Sequence, residues 1–123
     1  MTAGNKVFGQ VIRKRREEKK KKDPRFSLRQ FAQAVGISAT YLSKVETGEF
    51  PPPSAENIKR MAELLEINAD ELLALAGKVD PDLPEIIREQ PKAVADFLRT
   101  AQEHGLTEKD FRKLTDKIRK GEI

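Results

Sequence analysis

Between Ser27 and Gly48 two helix-length amphipathic runs stand only three residues apart, and that spacing restricts the fold more than any other feature of the chain. In the first run Leu28, Phe31, Ala32 and Val35 fall on one face. Ser27 precedes it as an N-cap whose hydroxyl can satisfy an orphan backbone N–H, a bond worth about 1 kcal/mol. Gly36 follows where a helix ends in left-handed backbone. Ser38 then caps a second run from Ala39 to Thr47, closed by Gly48. The second helix is expected to cross close over the first. Ala32 is small for that reason, and a side chain at Gly36 is expected to clash with the turn. Ile37, Leu42 and Val45 are expected to clamp the second helix to a core. Its other face carries Ala39, Thr40, Tyr41, Ser43, Lys44 and Thr47, which are small, hydrogen-bonding or basic.

The flanking segments are also helical in pattern, and no stretch shows the sustained alternation of a strand. A first helix is predicted from about Lys6 to Lys21, with an apolar patch of Val7, Phe8, Val11 and Ile12. The run Lys19 to Lys22 leads into Asp23-Pro24, which stops it. After the stiff Pro51-Pro52-Pro53 connector, Ser54 caps a fourth helix bearing Ile58, Met61, Ala62 and Leu65. Asn68 caps a fifth with Leu72, Leu73, Leu75 and Ala76, ended by Gly77. The Asp/Pro-rich link at 78–84 then marks a boundary. Beyond it three small amphipathic helices are predicted. One carries Leu83, Ile86 and Ile87 and stops at Pro91; another carries Val94, Phe97, Leu98 and Ala101 and stops at Gly105. The last carries Phe111, Leu114 and Ile118 behind a Thr107/Asp110 capping box with Asp in place of Glu or Gln. The expected fold is all-α, with a helical domain at 1–77 and a short helical extension at 78–123.

Charge adds a partner class. Residues 1–50 hold 12 basic and 5 acidic side chains, a net of +7, whereas residues 51–123 hold 12 and 15, a net of −3. A basic front half suggests a polyanion, most simply nucleic acid, and a small polar helix face fits the major groove, about 12 Å wide. Other classes are disfavoured. The chain has no cysteine and one histidine, so thiolate and multi-histidine metal sites are out. No apolar run nears the about 20 residues needed to span a bilayer, and no apolar signal core precedes a small-residue cleavage site; a cytoplasmic location is expected. The glycines are dispersed rather than gathered in a phosphate loop, and no carboxylate pair stands out. His104 is expected as a surface residue favoured by a helix C-terminus. We expect no catalytic residue, metal or cofactor.

Ser27-Leu28-Arg29-Gln30-Phe31-Ala32, Gly36-Ile37-Ser38 and Tyr41-Leu42-Ser43-Lys44-Val45-Glu46-Thr47-Gly48-Glu49 together resemble the Xre-type, phage-repressor-like helix-turn-helix regulators. The resemblance runs from Arg13 and Arg16 in the first helix to Asp70-Glu71-Leu72-Leu73 and Gly77, and so covers roughly residues 6–77. It implies a five-helix domain that binds double-stranded DNA to regulate, and more specifically to repress, transcription. Residue by residue, it implies that Arg16 pairs with Glu46 and that Ala39, Thr40 and Lys44 meet base edges. Ser38, Tyr41 and Ser43 match phosphate-contacting positions, and the helix starts at Ser27 and Ser54 point N–H groups at phosphates. Three departures stand out. Leu28 occupies a position often held by glutamine, leaving Arg29 as its substitute. The Glu49–Pro53 loop lacks the usual basic residues. The first connection is long, and its Lys19, Lys20, Lys21 and Lys22 are expected to bind phosphates in place of the residues absent at those two positions.

Relatives of this kind usually dimerise on half-sites about 34 Å apart. Leu83, Ile86, Ile87, Phe97, Leu98, Phe111, Leu114 and Ile118 exceed what a module of about 40 residues buries unaided. They are expected to pair with a second copy in a homodimer; the other reading folds them back on the fifth helix. The layout is also similar to regulators inactivated by a metallopeptidase partner. A further alternative is an antitoxin whose tail binds a toxin, and another a purely structural interaction module.

Overall fold

The computed structural model describes residues 4–123, and no strand occurs among them. The helices are α1 (Lys6–Lys20), α2 (Leu28–Val35), α3 (Ala39–Thr47), α4 (Ala55–Leu65), α5 (Ala69–Leu75), α6 (Asp82–Glu89), α7 (Pro91–Glu103) and α8 (Glu108–Arg119), with a 3-10 turn at Pro24–Phe26 between α1 and α2. The chain forms two compact units that divide between Pro81 and Asp82. No helix among the described residues is long and apolar enough to cross a membrane.

Local chemistry sets the helix ends of the first unit. Ser27, Ser38 and Ser54 each accept a bond from the backbone N–H three residues on, at 3.2, 3.0 and 3.2 Å. Asn68 does the same for α5 at 3.0 Å. Gly36 ends α2 at φ 94°. Its glycine is required by that left-handed backbone alone, because a Cβ there would meet nothing within 4 Å. The expected clash with the turn does not occur.

The core of this unit joins Phe8 and Ile12 of α1, Phe31, Ala32 and Val35 of α2, Leu42 and Val45 of α3, Ile58, Met61, Ala62 and Leu65 of α4, and Leu72 and Leu73 of α5. Phe26 from the 3-10 turn stacks near Phe31, ring centroids 6.0 Å apart. Two apolar side chains of these helices lie outside the core. Val7 is 58% exposed and Leu75 also faces outward, because the buried stripe of α1 follows positions 8, 12 and 16, one turn apart, while that of α5 centres on Leu72 and Leu73.

In the second unit α6 and α7 pack together. Pro91 opens α7, where its missing N–H costs nothing. Thr107 and Asp110 form a reciprocal capping box at the start of α8. The Thr107 N–H and hydroxyl bond the Asp110 carboxylate at 2.9 and 3.0 Å, and these bonds hold that carboxyl below its ordinary pKa. Burial is sparse here. Ala101 is buried, Ile87, Val94 and Leu114 are half-buried, and Leu83, Ile86, Phe97, Leu98, Phe111 and Ile118 are exposed.

Candidate nucleic-acid interface

Helix α3 has two chemically different sides. Leu42 and Val45 are sealed in the core and Glu46 is buried behind them. Thr40 and Thr47 are exposed, and Ala39, Tyr41, Ser43 and Lys44 are half-buried. Ala39, Thr40, Ser43 and Lys44 line one shallow depression, bordered by Leu28 at the start of α2 and by Glu49. Ala39 also packs on the core cluster, so its methyl is shared between the interior and this surface.

A buried ion pair fixes the helix from behind. The Arg16 Nε donates to Glu46 Oε2 at 2.7 Å and its Nη2 to Oε1 at 2.9 Å. Arg16 is 3% exposed and Glu46 6%. The guanidinium also donates to the Phe26 carbonyl at 3.1 Å and to Glu17 at 3.4 Å. One side chain of α1 therefore ties α3 to the turn that leads into α2. The bond to Glu46 raises the Arg16 pKa against the opposing effect of burial. Such a pair adds little net stability over apolar packing, but removing one partner strands a buried charge. Gly9, about two turns earlier, sits where α1 comes close to the backbone of α3. A Cβ there would lie 2.3 Å from the Val45 carbonyl oxygen and 2.6 Å from that of Glu46.

The phosphate candidates divide. Ser38 and Ser54 are exposed or half-buried caps, as is Ser27. Each accepts from a backbone N–H, which leaves the hydroxyl hydrogen for a second partner. Arg29, Lys20, Lys21 and Lys22 are exposed. Lys19 stands apart from the rest of its run: its ammonium pairs with Glu66, the left-handed residue that ends α4, and lies 5.5 Å from the Phe26 ring centroid. Tyr41 donates its hydroxyl hydrogen to the Pro51 carbonyl at 3.0 Å, which engages the phenol with the loop before α4. Burial raises its pKa, keeping the donor in place at neutral pH.

Some contributors escape a reading of the sequence. Asn5 caps α1 by accepting from the Phe8 N–H at 2.9 Å, and its Nδ2 donates to the Leu75 carbonyl at 2.7 Å. Arg15 donates to the Leu65 carbonyl at 2.9 Å. These last two bonds join residues 70 and 50 positions apart, and no local pattern encodes them. Phe50, just past α3, is 41% exposed beside Tyr41 and Lys44.

Known proteins resemble this chain in sequence. The family described as Helix-turn-helix domain matches residues 7–75. The HTH-type transcriptional regulator RghRB of Bacillus subtilis is 33% identical over 101 residues, 80% of this chain and 68% of that protein. The HTH-type transcriptional repressor RghR of the same organism is 34% identical over 73 residues, 59% of this chain and 50% of that one. The chain thus spans about two thirds of the first relative and half of the second. The HTH-type transcriptional regulator SinR of Bacillus subtilis is 28% identical over 110 residues, 89% of this chain and 90% of that protein. A solved SinR protein/SinI protein complex covers 93% of this chain and 98% of the matched chain at 26% identity, with a TM-score of 0.47. The match from α1 to α5, over a helix pair braced by Arg16 and Glu46, has one conclusion: the chain belongs to the Xre-type helix-turn-helix family, whose members are DNA-binding transcription regulators rather than enzymes.

Proposed function

We propose that this chain is a sequence-specific repressor that binds a palindromic operator as a homodimer. The five helices of the first unit form the DNA-reading module, and α3 enters the major groove. Thr40 and Lys44 meet base edges, with Ala39 as a smaller apolar contact; a lysine at this depth is suited to guanine O6 and N7. Ser27, Ser38, Ser43, Ser54, Arg29 and Lys20 to Lys22 hold the phosphate backbone, while Lys19 and Tyr41 serve mainly to brace the module. The observation that carries the reading is the two-sidedness of α3: aliphatic residues and the Arg16–Glu46 pair lock one side, and hydrogen-bonding and basic groups occupy the other.

The exposed apolar side chains of the second unit support self-association. With Leu83, Ile86, Phe97, Leu98, Phe111 and Ile118 at the contact, and Ile87 and Leu114 beneath them, two copies span two half-sites. Occupancy of the promoter then excludes polymerase. Recovery of bound duplexes from a random pool tests the whole scheme. The expected product is a palindrome with half-site centres about one helical turn apart. A pool that emerges without sequence preference overturns it.

A further inference from the structure

The Glu49–Pro53 loop lacks the basic residues usual before the fourth helix, and an aromatic residue stands in it instead. Phe50 is tied to the end of α3 by its backbone. Its backbone N–H donates to the Lys44 carbonyl at 3.1 Å, alongside the Glu49 N–H at 2.9 Å. The root of the ring is thereby fixed to the last turn of α3. The ring lies beside that of Tyr41, centroids 6.0 Å apart at 42°, and Tyr41 is itself held by its bond to Pro51. The Lys44 ammonium lies 5.1 Å from the Phe50 centroid, within the range where a cation is attracted to an aromatic ring. The neighbouring Glu49 carboxylate is engaged elsewhere, accepting from the Thr47 hydroxyl at 3.0 Å.

A lysine stem is long and flexible, and a freely moving ammonium reads a base edge poorly because its freedom is lost on binding. A ring fixed to the same helix end removes part of that freedom in advance. A cation resting on a ring, unlike one in a carboxylate pair, meets no opposing formal charge and gives up no N–H to an acceptor oxygen. We propose that Phe50 is a positioning residue for base reading: it holds the Lys44 ammonium at the edge of the recognition surface, so that selectivity at the base pair met by Lys44 depends on an aromatic side chain at position 50. This rests on the reading of α3 given above.

The test selects duplexes from a random pool with the full-length wild type, Phe50→Leu, Phe50→Trp and Lys44→Ala, then titrates the wild-type consensus duplex and a scrambled duplex at several salt concentrations. Phe50 is substantially exposed, so the substitutions are expected to leave the thermal midpoint near that of the wild type. Phe50→Leu is expected to lose preference at the same base pair as Lys44→Ala and to weaken consensus binding about two- to five-fold. Its binding to scrambled DNA and its salt slope stay unchanged, because no phosphate contact is removed. Phe50→Trp restores the preference. A Phe50→Leu pool identical to the wild-type pool overturns the assignment, as does an equal loss on both duplexes, which would make Phe50 a general backbone or structural contact. A wild type without any preference overturns the reading of α3 itself, and this inference with it.

Discussion

The two units treat their apolar residues in opposite ways. In the first, side chains from α1 to α5 converge on one closed core, and its buried Arg16–Glu46 pair is held by two hydrogen bonds. In the second, three helices bury little beyond Ala101 while Phe97 and Ile118 are 52% and 62% exposed. The difference is one of surface to volume. Roughly 40 residues bury too small a fraction of their surface to stand alone without an additional partner or cross-link, and this chain has no cysteine to supply one. A domain with a closed core can be read as a self-sufficient module; helices that keep large apolar groups in water need a covering surface.

The comparison breaks most sharply if the second unit is removed. A chain ending at Pro81 is expected to keep its helical signal and cooperative unfolding but to sediment as a monomer. Its affinity for a duplex with two half-sites should fall at least about 100-fold, since the second binding event is no longer tethered to the first. A truncated chain that stays dimeric would show the apolar faces of the second unit to be dispensable for assembly.

Within the first unit, Glu46→Ala is expected to cost about 3–5 kcal/mol in denaturant unfolding, because it leaves the Arg16 guanidinium buried without its main partner. Replacing both residues by aliphatic ones should recover most of that deficit. Leu42→Ala belongs in the same range, about 2–5 kcal/mol. Phe97→Ala in the second unit should change the unfolding of dilute protein by no more than about 0.5 kcal/mol, while shifting the association equilibrium seen by sedimentation. Equal effects of Leu42→Ala and Phe97→Ala on unfolding would erase the contrast between the units.

Smaller effects are expected on the surface of the reader. Thr40→Ala and Lys44→Ala should each weaken specific binding by about 1–3 kcal/mol without changing the thermal midpoint. Changing Lys20, Lys21 and Lys22 to glutamine should flatten the salt dependence of binding, by about 0.9 in log–log slope for each phosphate no longer neutralised. An unchanged slope would reduce these lysines to a solvated helix end.

The smallest effect is acid sensitivity. The Asp23 carboxyl, bonded by Arg25, and the Glu66 carboxyl, bonded by Lys19, both lie below their ordinary pKa in the folded chain. A depressed carboxylate contributes stability above its unfolded pKa, near 4, and loses it as pH falls through the folded value. The thermal midpoint should therefore hold steady above about pH 5 and decline below about pH 4, less steeply in Asp23→Asn. Because Glu66 is exposed and Asp23 is no more than half-buried, added salt should blunt the change.

Much of the fold was legible in the sequence because helix ends are decided within four residues. Ser27, Ser38, Ser54, Asn68 and Thr107 cap the helices they precede, since a side-chain oxygen reaches an N–H only two or three positions away. The apolar periods of α2 and α4 likewise fix which side of each helix is buried. The surface of α3 was less legible. That Tyr41 has its hydroxyl hydrogen occupied by Pro51, or that Lys19 turns to Glu66, depends on side chains meeting across turns and between helices.

Sequence alone determined the all-helical character, the two-helix turn at Gly36 and the polar make-up of the exposed side of α3, because each is a matter of spacing along one stretch of chain. Tertiary structure alone decided how near α1 comes to α3 at Gly9, which elements the Arg16 guanidinium joins, and which side chain Phe50 holds. Those depend on crossing angles and distances between helices, which arise only when all the side chains pack at once.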